Sequence, residues 1–164
     1  MADVSNSKLY TIDTGILNKD ARIVIVRTDW NASILDQLEE GCTAYLNEQG
    51  FKNYQVISVP GAFEIPFAIK NHWEKSSNAS KPVAYIALGC IIQGDTPHFD
   101  YVCKAVTDGV VQLNLKLPVP TIFGVLTVLT EEQAIERVGG KHGHKGTEAA
   151  ITALKMAALA QSKA

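Results

Sequence analysis

The chain has few cysteines, no long apolar run and no secretory pattern at its start. Its three cysteines form no Cys-x-x-Cys pair, which favours reduced thiols over a disulfide framework. No apolar stretch approaches the roughly 20 residues that span a bilayer. The first residues lack the basic and then apolar pattern of a signal peptide. We therefore expect a cytoplasmic protein with no membrane partner.

Charge and motif patterns exclude further classes. Lys and Arg total 15 against 17 Asp and Glu, so the net charge is -2, and no basic stripe predicts a nucleic-acid partner. The glycines match neither the dinucleotide-binding fingerprint nor the phosphate-loop pattern. His142 and His144 are close in sequence, but without acidic or cysteine companions they are a weak metal site. A solvated basic loop is the better interpretation.

Strand and helix patterns alternate along the chain after residues 1–20, which we interpret as an extended N-terminal arm. Short β-branched or apolar runs predict strands at 22–26, 54–59, 83–88 and 122–126. Amphipathic stretches predict helices at 31–49, 62–75, 99–116, 130–138 and 146–161, and a capping box starts the fourth of these at Thr130. The alternation predicts one α/β domain over 1–164, a three-layer sandwich in which helices cover both faces of a four-stranded parallel sheet.

Ligands of open parallel sheets bind where the strands end, so the residues after each strand form the candidate site. Trp30 offers a flat ring for stacking, and packing at the edge of the core is an equally good interpretation of it. Gly61 and its small neighbours allow a ligand close to the backbone, and Glu64 can accept hydrogen bonds from that ligand. For Glu64 alone, the preference of a first helical turn for acidic residues is the stronger explanation.

The stretch 89–102 is the most informative, because it joins a strand to a helix through a polar turn. Gly94 to Thr96 could bind a phosphate through backbone N–H groups, or Asp95 or Thr96 could simply cap the helix. His98 is either a proton carrier or an ordinary polar histidine. Because Asp95 is an unfavourable neighbour for an anion, a phosphate here needs a cation, and Arg137 and Lys145 are the available candidates. The stretch indicates an enzyme that acts on a phosphorylated small molecule.

Five ordered motifs resemble those of the lumazine synthase family, and the similarity extends from about Arg22 to the end of the chain. The motifs are 59–66 (VPGAFEIP), 94–101 (GDTPHFDY), 123–127 (FGVLT), 131–134 (EEQA) with Arg137, and the pair Lys145-Gly146. The resemblance implies a flavodoxin-like fold whose N-terminal arm can add a strand to a neighbouring subunit.

The resemblance also implies a reaction. Family members condense 5-amino-6-(D-ribitylamino)uracil with 3,4-dihydroxy-2-butanone 4-phosphate to 6,7-dimethyl-8-ribityllumazine. They release inorganic phosphate and water, and they need no cofactor and no metal. The expected function is therefore a transferase at the penultimate step of riboflavin biosynthesis, with a functional link to riboflavin synthase.

The family's site residues carry over to matching positions of this chain. Trp30 is expected to stack on the pyrimidinedione ring, His98 to carry protons and Arg137 to pair with the phosphate. Lys145 adds positive charge beside the phosphate, and Phe123 packs on the ring from a neighbouring subunit, so that the site lies between subunits. The remaining expected substrate contacts hold the ribityl chain, the pyrimidine or the phosphate-bearing ketone: Ala62, Phe63, Glu64, Cys90, Ile91, Ile92, Asp95 and Thr96.

Two positions depart from the family's common pattern. Many members carry Lys or Arg where this chain has Gln93, so the phosphate depends more on Arg137 and Lys145. Members form pentamers, and some assemble twelve pentamers into a hollow icosahedral shell. The short loop 141–146 is similar to that of shell-forming members, which usually have Asn in place of His144. We expect a pentamer and favour the 60-subunit shell.

Two rival functions make different predictions. A noncatalytic lumazine- or flavin-binding shell protein of the same fold predicts degraded catalytic positions, yet Glu64, His98, Phe123 and Arg137 are retained. An archaeal-type riboflavin synthase would dismutate the lumazine instead. The intact motifs 59–66 and 94–101 favour lumazine formation.

Overall fold

The computed structural model describes residues 8–9, 11 and 13–162, and strands and helices alternate along it. The strands are β1 (Ile23–Thr28), β2 (Tyr54–Val59), β3 (Ala84–Ile92), β4 (Thr121–Val128), β5 (Val138–Gly140) and β6 (Gly143–His144). The helices are α1 (Ala32–Glu48), α2 (Ile65–Lys75), α3 (His98–Lys116), α4 (Glu131–Ile135) and α5 (Lys145–Gln161). Short 3-10 turns form at Ala62–Glu64 and Asn78–Ser80.

The first four strands form one parallel sheet in the order β2-β1-β3-β4, which confirms the predicted four-stranded parallel sheet. All residues from Ala84 to Cys90 of β3 are buried. A continuous buried run is typical of a parallel strand that helices cover on both faces. The order leaves β2 and β4 as the two edges of the sheet.

Helices α1 and α5 cover one face of the sheet, and α2 and α3 cover the other. Leu38 and Leu154 are buried on the first face, and Ile69 and Val106 on the second. Each such side chain contributes about 1.5–3 kcal/mol through burial. The first turn of α5 touches α1 so closely that a methyl group on Gly146 would lie 2.0 Å from the Leu38 carbonyl oxygen. The three predicted layers are therefore confirmed.

Residues 131–144 differ most from the prediction. The cap at Thr130 is confirmed, because the Gln133 backbone N–H donates to Thr130 Oγ1 at 3.4 Å. The predicted helix to Val138 is wrong, since α4 ends at Ile135 and β5 and β6 follow as an antiparallel hairpin. Gly139 and Gly143 have φ angles of 110° and 83°, which a right-handed helix cannot accommodate and glycine adopts without strain.

Other boundaries shift by less. β3 continues to Ile92 and β4 to Val128, past the predicted ends at 88 and 126. The predicted helix 62–75 begins as a 3-10 turn, and α2 proper starts at Ile65. None of the helices in the described part of the chain is long and apolar enough to cross a membrane.

The predicted N-terminal arm is described only in part. Residues 13–20 do not extend away but form turns against the domain, with Leu17 only 4% exposed in the core beneath α1 and α5. Lys19 Nζ donates to the Gln49 carbonyl at 3.0 Å and lies 4.2 Å from the centre of the Phe51 ring. Residues 1–7, 10 and 12, on which a strand added to a neighbouring subunit would mostly rest, lie outside the described residues. The added strand stays a prediction.

Candidate functional site

A cleft of about 550 Å³ opens at the carboxyl ends of β1, β2 and β3, and the first turns of α3 form part of its wall. Eight residues predicted from the sequence line it: Trp30, Ala62, Phe63, Glu64, Cys90, Ile91, Ile92 and His98. The fold thus brings together side chains from four separate segments of the chain. The cleft also lies where ligands of open parallel sheets bind.

Asn31 shapes the end of β1. Its backbone is left-handed, with φ 59° and ψ 48°, a conformation that Asn tolerates better than most residues. Its side-chain amide donates to the Cys90 carbonyl at 3.0 Å, which ties the end of β1 to β3. The turn leaves the neighbouring Trp30 side chain 73% exposed at the cleft. Such a ring is available to stack on a ligand.

Gly61 lies between the two functional side chains that follow β1 and β2. A methyl group added there would lie 3.2 Å from Glu64 Oε2 and 3.6 Å from Trp30 Cδ1. The Glu64 carboxylate therefore turns back toward Gly61, and the indole of Trp30 lies close to the same glycine. The 3-10 turn produces this arrangement, because the Glu64 N–H donates to the Gly61 carbonyl at 3.2 Å.

β3 extends past its neighbour β1 and presents backbone to the cleft. Pairing between β1 and β3 ends at Arg27 and Leu88, whereas pairing between β3 and β4 continues to Ile92 and Val128. Residues 89–92 therefore have a ladder partner on one side only. On the other side, the Cys90 carbonyl accepts from the Asn31 amide, and the remaining N–H and C=O groups that point there can bind a planar heterocycle as a neighbouring strand would.

The Cys90 thiol is a lining group and not a nucleophile. Burial raises its pKa to about 11, and the nearby Glu131 carboxylate acts in the same direction. At neutral pH the thiol is therefore protonated, whereas nucleophilic cysteines react as thiolates.

The loop from Gln93 to Pro97 is exposed and leads into α3. The Gln93 N–H donates to the Val128 carbonyl at 2.9 Å, while Asp95 and Thr96 lie beyond the cleft lining. Neither residue caps α3, because Pro97 holds that position and no side chain bonds to the helix end. The capping alternative is therefore wrong. The open N-terminus can face an anion, and the exposed His98 side chain stands beside it.

Three predicted residues lie away from the cleft of their own chain. Phe123 and Lys145 both line a second pocket, of about 620 Å³, between β4 and α5. The Arg137 guanidinium donates from Nη2 to Glu148 Oε2 at 2.9 Å and from Nη1 to the His142 carbonyl. Lys145 Nζ lies 3.9 Å from the same Glu148 oxygen. We refer to Phe123, Arg137, Lys145 and Glu148 as the β4-side cluster.

Burial and charge act together on Lys145. Burial lowers the pKa of its ammonium group, Glu148 opposes that shift, and Arg137 adds to it. The cluster therefore balances two cations around one carboxylate in a partly desolvated place.

Several residues of these sites were not predicted. Thr28, Asn31 and Val102 also line the cleft, beside Gly61, which the sequence had indicated. Asn31 was the first residue of the predicted helix 31–49, and nothing in the sequence shows its left-handed backbone. Glu148 carried a clearer signal, because it lies three residues before Ile151, on the face of α5 that is buried. A buried acid three residues after Lys145 indicates an internal ion pair.

Within residues 8–9, 11 and 13–162, no group of three His, Cys, Asp or Glu side chains could hold a metal ion.

A family model described as 6,7-dimethyl-8-ribityllumazine synthase matches residues 20–161. A protein of that name from Porphyromonas gingivalis is 49% identical over 152 residues, which are 92% of each chain. The one from Cytophaga hutchinsonii is 46% identical over 157 residues, 94% of this chain and 96% of its own. The matched residues include both the cleft and the β4-side cluster.

Proposed function

The chain belongs to the 6,7-dimethyl-8-ribityllumazine synthase family, and we propose that it condenses 5-amino-6-(D-ribitylamino)uracil with 3,4-dihydroxy-2-butanone 4-phosphate. The product is 6,7-dimethyl-8-ribityllumazine, and inorganic phosphate and water are released. The observation that carries the proposal is that Trp30, Glu64 and His98 follow three different elements and line one cleft.

The cleft offers complementary contacts to the pyrimidine substrate. The exposed Trp30 ring stacks on the flat heterocycle, and the open backbone of Cys90 to Ile92 binds its amide-like edge. Glu64 accepts hydrogen bonds from the amine or the ribityl hydroxyls, with Ala62 and Phe63 beside them. The substrate is thereby held with its amine towards His98.

The reaction needs proton transfers more than it needs a strong nucleophile. The substrate amine attacks the ketone carbonyl to give an imine and water, and phosphate leaves by elimination to give an enol that becomes a second carbonyl. The ribityl-bearing nitrogen then closes the ring on that carbonyl with loss of a second water. Holding two flexible substrates together supplies much of the acceleration. His98, at the mouth of the cleft, accepts and returns protons during these steps.

The phosphate-bearing substrate requires a second copy of the chain. Among the described residues that line the cleft there is no Lys or Arg, and Asp95 in the adjacent loop is acidic. Asp95 and Thr96 contact the ketone phosphate from the loop, and the cations come from the β4-side cluster of the neighbouring subunit, with Phe123 packing on the ring. β4 is one edge of the sheet and β2 is the other, so such a contact is head to tail.

Head-to-tail contacts close into rings when the rotation allows. A pentamer is the ring we propose, because the family assembles in that way. The loop 141–146 runs from a short hairpin straight into α5, and on this ground we propose a 60-subunit shell rather than free pentamers. We further propose that the enzyme works in the cytoplasm and that its product passes to riboflavin synthase.

Mixing the two substrates tests the proposal. Formation of fluorescent lumazine with free phosphate is the expected result. A folded protein that binds lumazine but makes none would instead be a noncatalytic binding protein, and riboflavin formed from added lumazine would indicate a riboflavin synthase. Light scattering on the same sample measures the assembly, and a species of five subunits contradicts the shell.

A further inference from the structure

Helices α2 and α3 come closest where Pro66 of α2 faces Gly109 of α3. A methyl group added to Gly109 would lie 2.3 Å from Pro66 Cγ and 2.8 Å from Pro66 Cβ. Carbon atoms in ordinary contact are about 3.5–4.0 Å apart, so even the smallest side chain at position 109 has no room. The absence of a side chain therefore lets the two helices approach as closely as they do.

Both partners of this contact belong to helices that also carry a cleft residue. Pro66 lies in the first turn of α2, two positions after Glu64. His98 is the first residue of α3, and Gly109 lies about three turns further on, roughly 16 Å along the helix. A displacement of Pro66 at the contact therefore moves Glu64 almost fully and His98 very little.

The contact is also stiff. The Pro66 ring is closed onto its own backbone nitrogen, so it cannot rotate away from a new neighbour as an open side chain would. Ile69 of α2 and Val106 of α3 are fully buried in one core cluster, and a close-packed interior transmits a displacement. The separation of Glu64 and His98 thus depends on a contact that lies outside the lining of the cleft.

We propose that Gly109 is a positioning residue of the active site, which fixes the separation of Glu64 and His98 through its contact with Pro66. The inference rests on the proposed function, in which Glu64 holds the pyrimidine and His98 moves protons. Gly109 touches neither substrate in it and acts through the position of α2.

The variant Gly109→Ala tests the proposal. Its methyl group has to displace Pro66 by about 1 Å to restore an ordinary carbon contact. A misplacement of about 1 Å can lower turnover about 10²-fold, so we expect kcat to fall roughly 10- to 100-fold. The KM of the pyrimidine should rise by a smaller factor, because Trp30 and the backbone of β3 still bind the ring. The KM of the ketone phosphate should not change, since its cations come from the neighbouring subunit.

The rate is expressed per site that binds the pyrimidine in a titration, so loss of folded protein cannot imitate a fall in kcat. Substitutions of Pro66 then identify the contact. Pro66→Gly removes both close atoms, whereas Pro66→Ala removes Cγ and leaves Cβ, 2.8 Å from the added methyl group. In the Gly109→Ala background, Pro66→Gly is expected to restore kcat to that of Pro66→Gly alone, and Pro66→Ala to restore it in part. The double-mutant cycle measures this coupling.

A matched control overpacks the core away from the cleft. Ala84 is fully buried at the amino end of β3, whereas the cleft lies at the carboxyl ends of the strands. Ala84→Val adds volume there, so it should lower the unfolding midpoint in denaturant, as Gly109→Ala does. It should leave kcat per binding site unchanged.

Three results overturn the inference: a native kcat per site in Gly109→Ala, an equal fall in Ala84→Val, or a fall that Pro66→Gly does not relieve. If Gly109→Ala alone does not assemble, the two double variants are compared, each with its own Pro66 variant. A deeper fall with Pro66→Ala than with Pro66→Gly supports the inference, and equal falls overturn it.

If the native chain forms no lumazine, the proposed function fails instead, and titration of the same variants with the pyrimidine alone decides the role of Gly109. Weaker binding in Gly109→Ala that Pro66→Gly restores supports the positioning role. Native affinity in Gly109→Ala overturns it.

Discussion

The cleft and the β4-side cluster differ in how far contacts within one chain satisfy their polar and charged groups. The cleft presents an exposed indole, an exposed histidine and strand backbone without a partner on one side. The β4-side cluster is partly buried, and its cations already bind Glu148. One region exposes groups that can recognise an uncharged ring, and the other holds two cations whose charge a single carboxylate offsets only in part. Under the proposed function, recognition of the ring and binding of the phosphate therefore depend on two separate regions of the chain.

The substitution with the largest expected effect removes a side chain of the cleft and leaves the β4-side cluster intact. For His98→Ala we expect kcat to fall about 10²- to 10⁴-fold, the usual contribution of general acid–base catalysis. Substrate binding is expected to persist, because positioning depends on other groups. Steady-state kinetics and a binding titration of the pyrimidine check this. Loss of all turnover in an assembled, substrate-bound variant contradicts the division of labour between proton transfer and positioning.

Breaking the cluster is expected to act on KM and on stability together. In Arg137→Ala the KM of the ketone phosphate should rise roughly 10- to 100-fold. Because the buried Glu148 loses its closer partner and keeps only Lys145 at 3.9 Å, unfolding should become easier by up to about 3–5 kcal/mol. Denaturant unfolding measures the second effect. The control Lys70→Ala, which breaks an exposed pair, should change stability by no more than about 1 kcal/mol. An unchanged KM in Arg137→Ala removes this residue from the phosphate site.

A substitution with a smaller expected effect tests whether the Trp30 ring of the cleft stacks on the pyrimidine. Trp30→Ala should raise the KM of the pyrimidine roughly 3- to 10-fold, the range expected for a lost aromatic stack. Stability should hardly change, since the ring is mostly exposed. Trp30→Phe keeps a stacking face and should recover most of the affinity. Equal losses in both variants would show that the indole packs and does not stack.

The smallest expected effect concerns His144, next to Lys145 of the cluster, and the pH dependence of stability. His144 caps α5 by accepting from the Thr147 N–H, and burial lowers its pKa. The unfolded chain then takes up the proton more readily than the folded chain. The stability that neutral His144 contributes is therefore complete above about pH 6.5 and is lost as pH falls below it. His144→Asn keeps a cap acceptor that does not titrate. Its unfolding midpoint should fall less between about pH 8 and pH 5 than that of the native chain. Equal falls contradict this role.

The sequence was sufficient to predict the sheet, the layers and most of the cleft. Parallel strands buried on both faces leave a clear apolar pattern, and their carboxyl ends must meet at one edge. Trp30, Glu64 and His98 could therefore be placed near one another without coordinates.

The features that could not be predicted from the sequence depend on the local backbone conformation and on contacts between segments that are far apart in the chain. Residues 136–144 have the composition of a helix end, yet positive φ at Gly139 and Gly143 turns them into a hairpin. The left-handed Asn31 bonds through its side chain to Cys90, which is 59 positions away. The pattern also cannot show that Arg137 binds Glu148, outside the lining of the cleft. These features are set by tertiary contacts that local propensity does not encode.

The overhang of β3 beyond β1 also bears on inhibitor design. An inhibitor that hydrogen-bonds to the main chain of residues 90–92 uses groups that every amino acid except proline supplies. Substitution of these side chains therefore removes none of its hydrogen bonds, and resistance has to come from shape changes elsewhere in the cleft. Inhibitors that depend on the Trp30 ring or the Glu64 carboxylate can be evaded by a single substitution. Selection of resistant variants against the two kinds of compound distinguishes them by the positions that change.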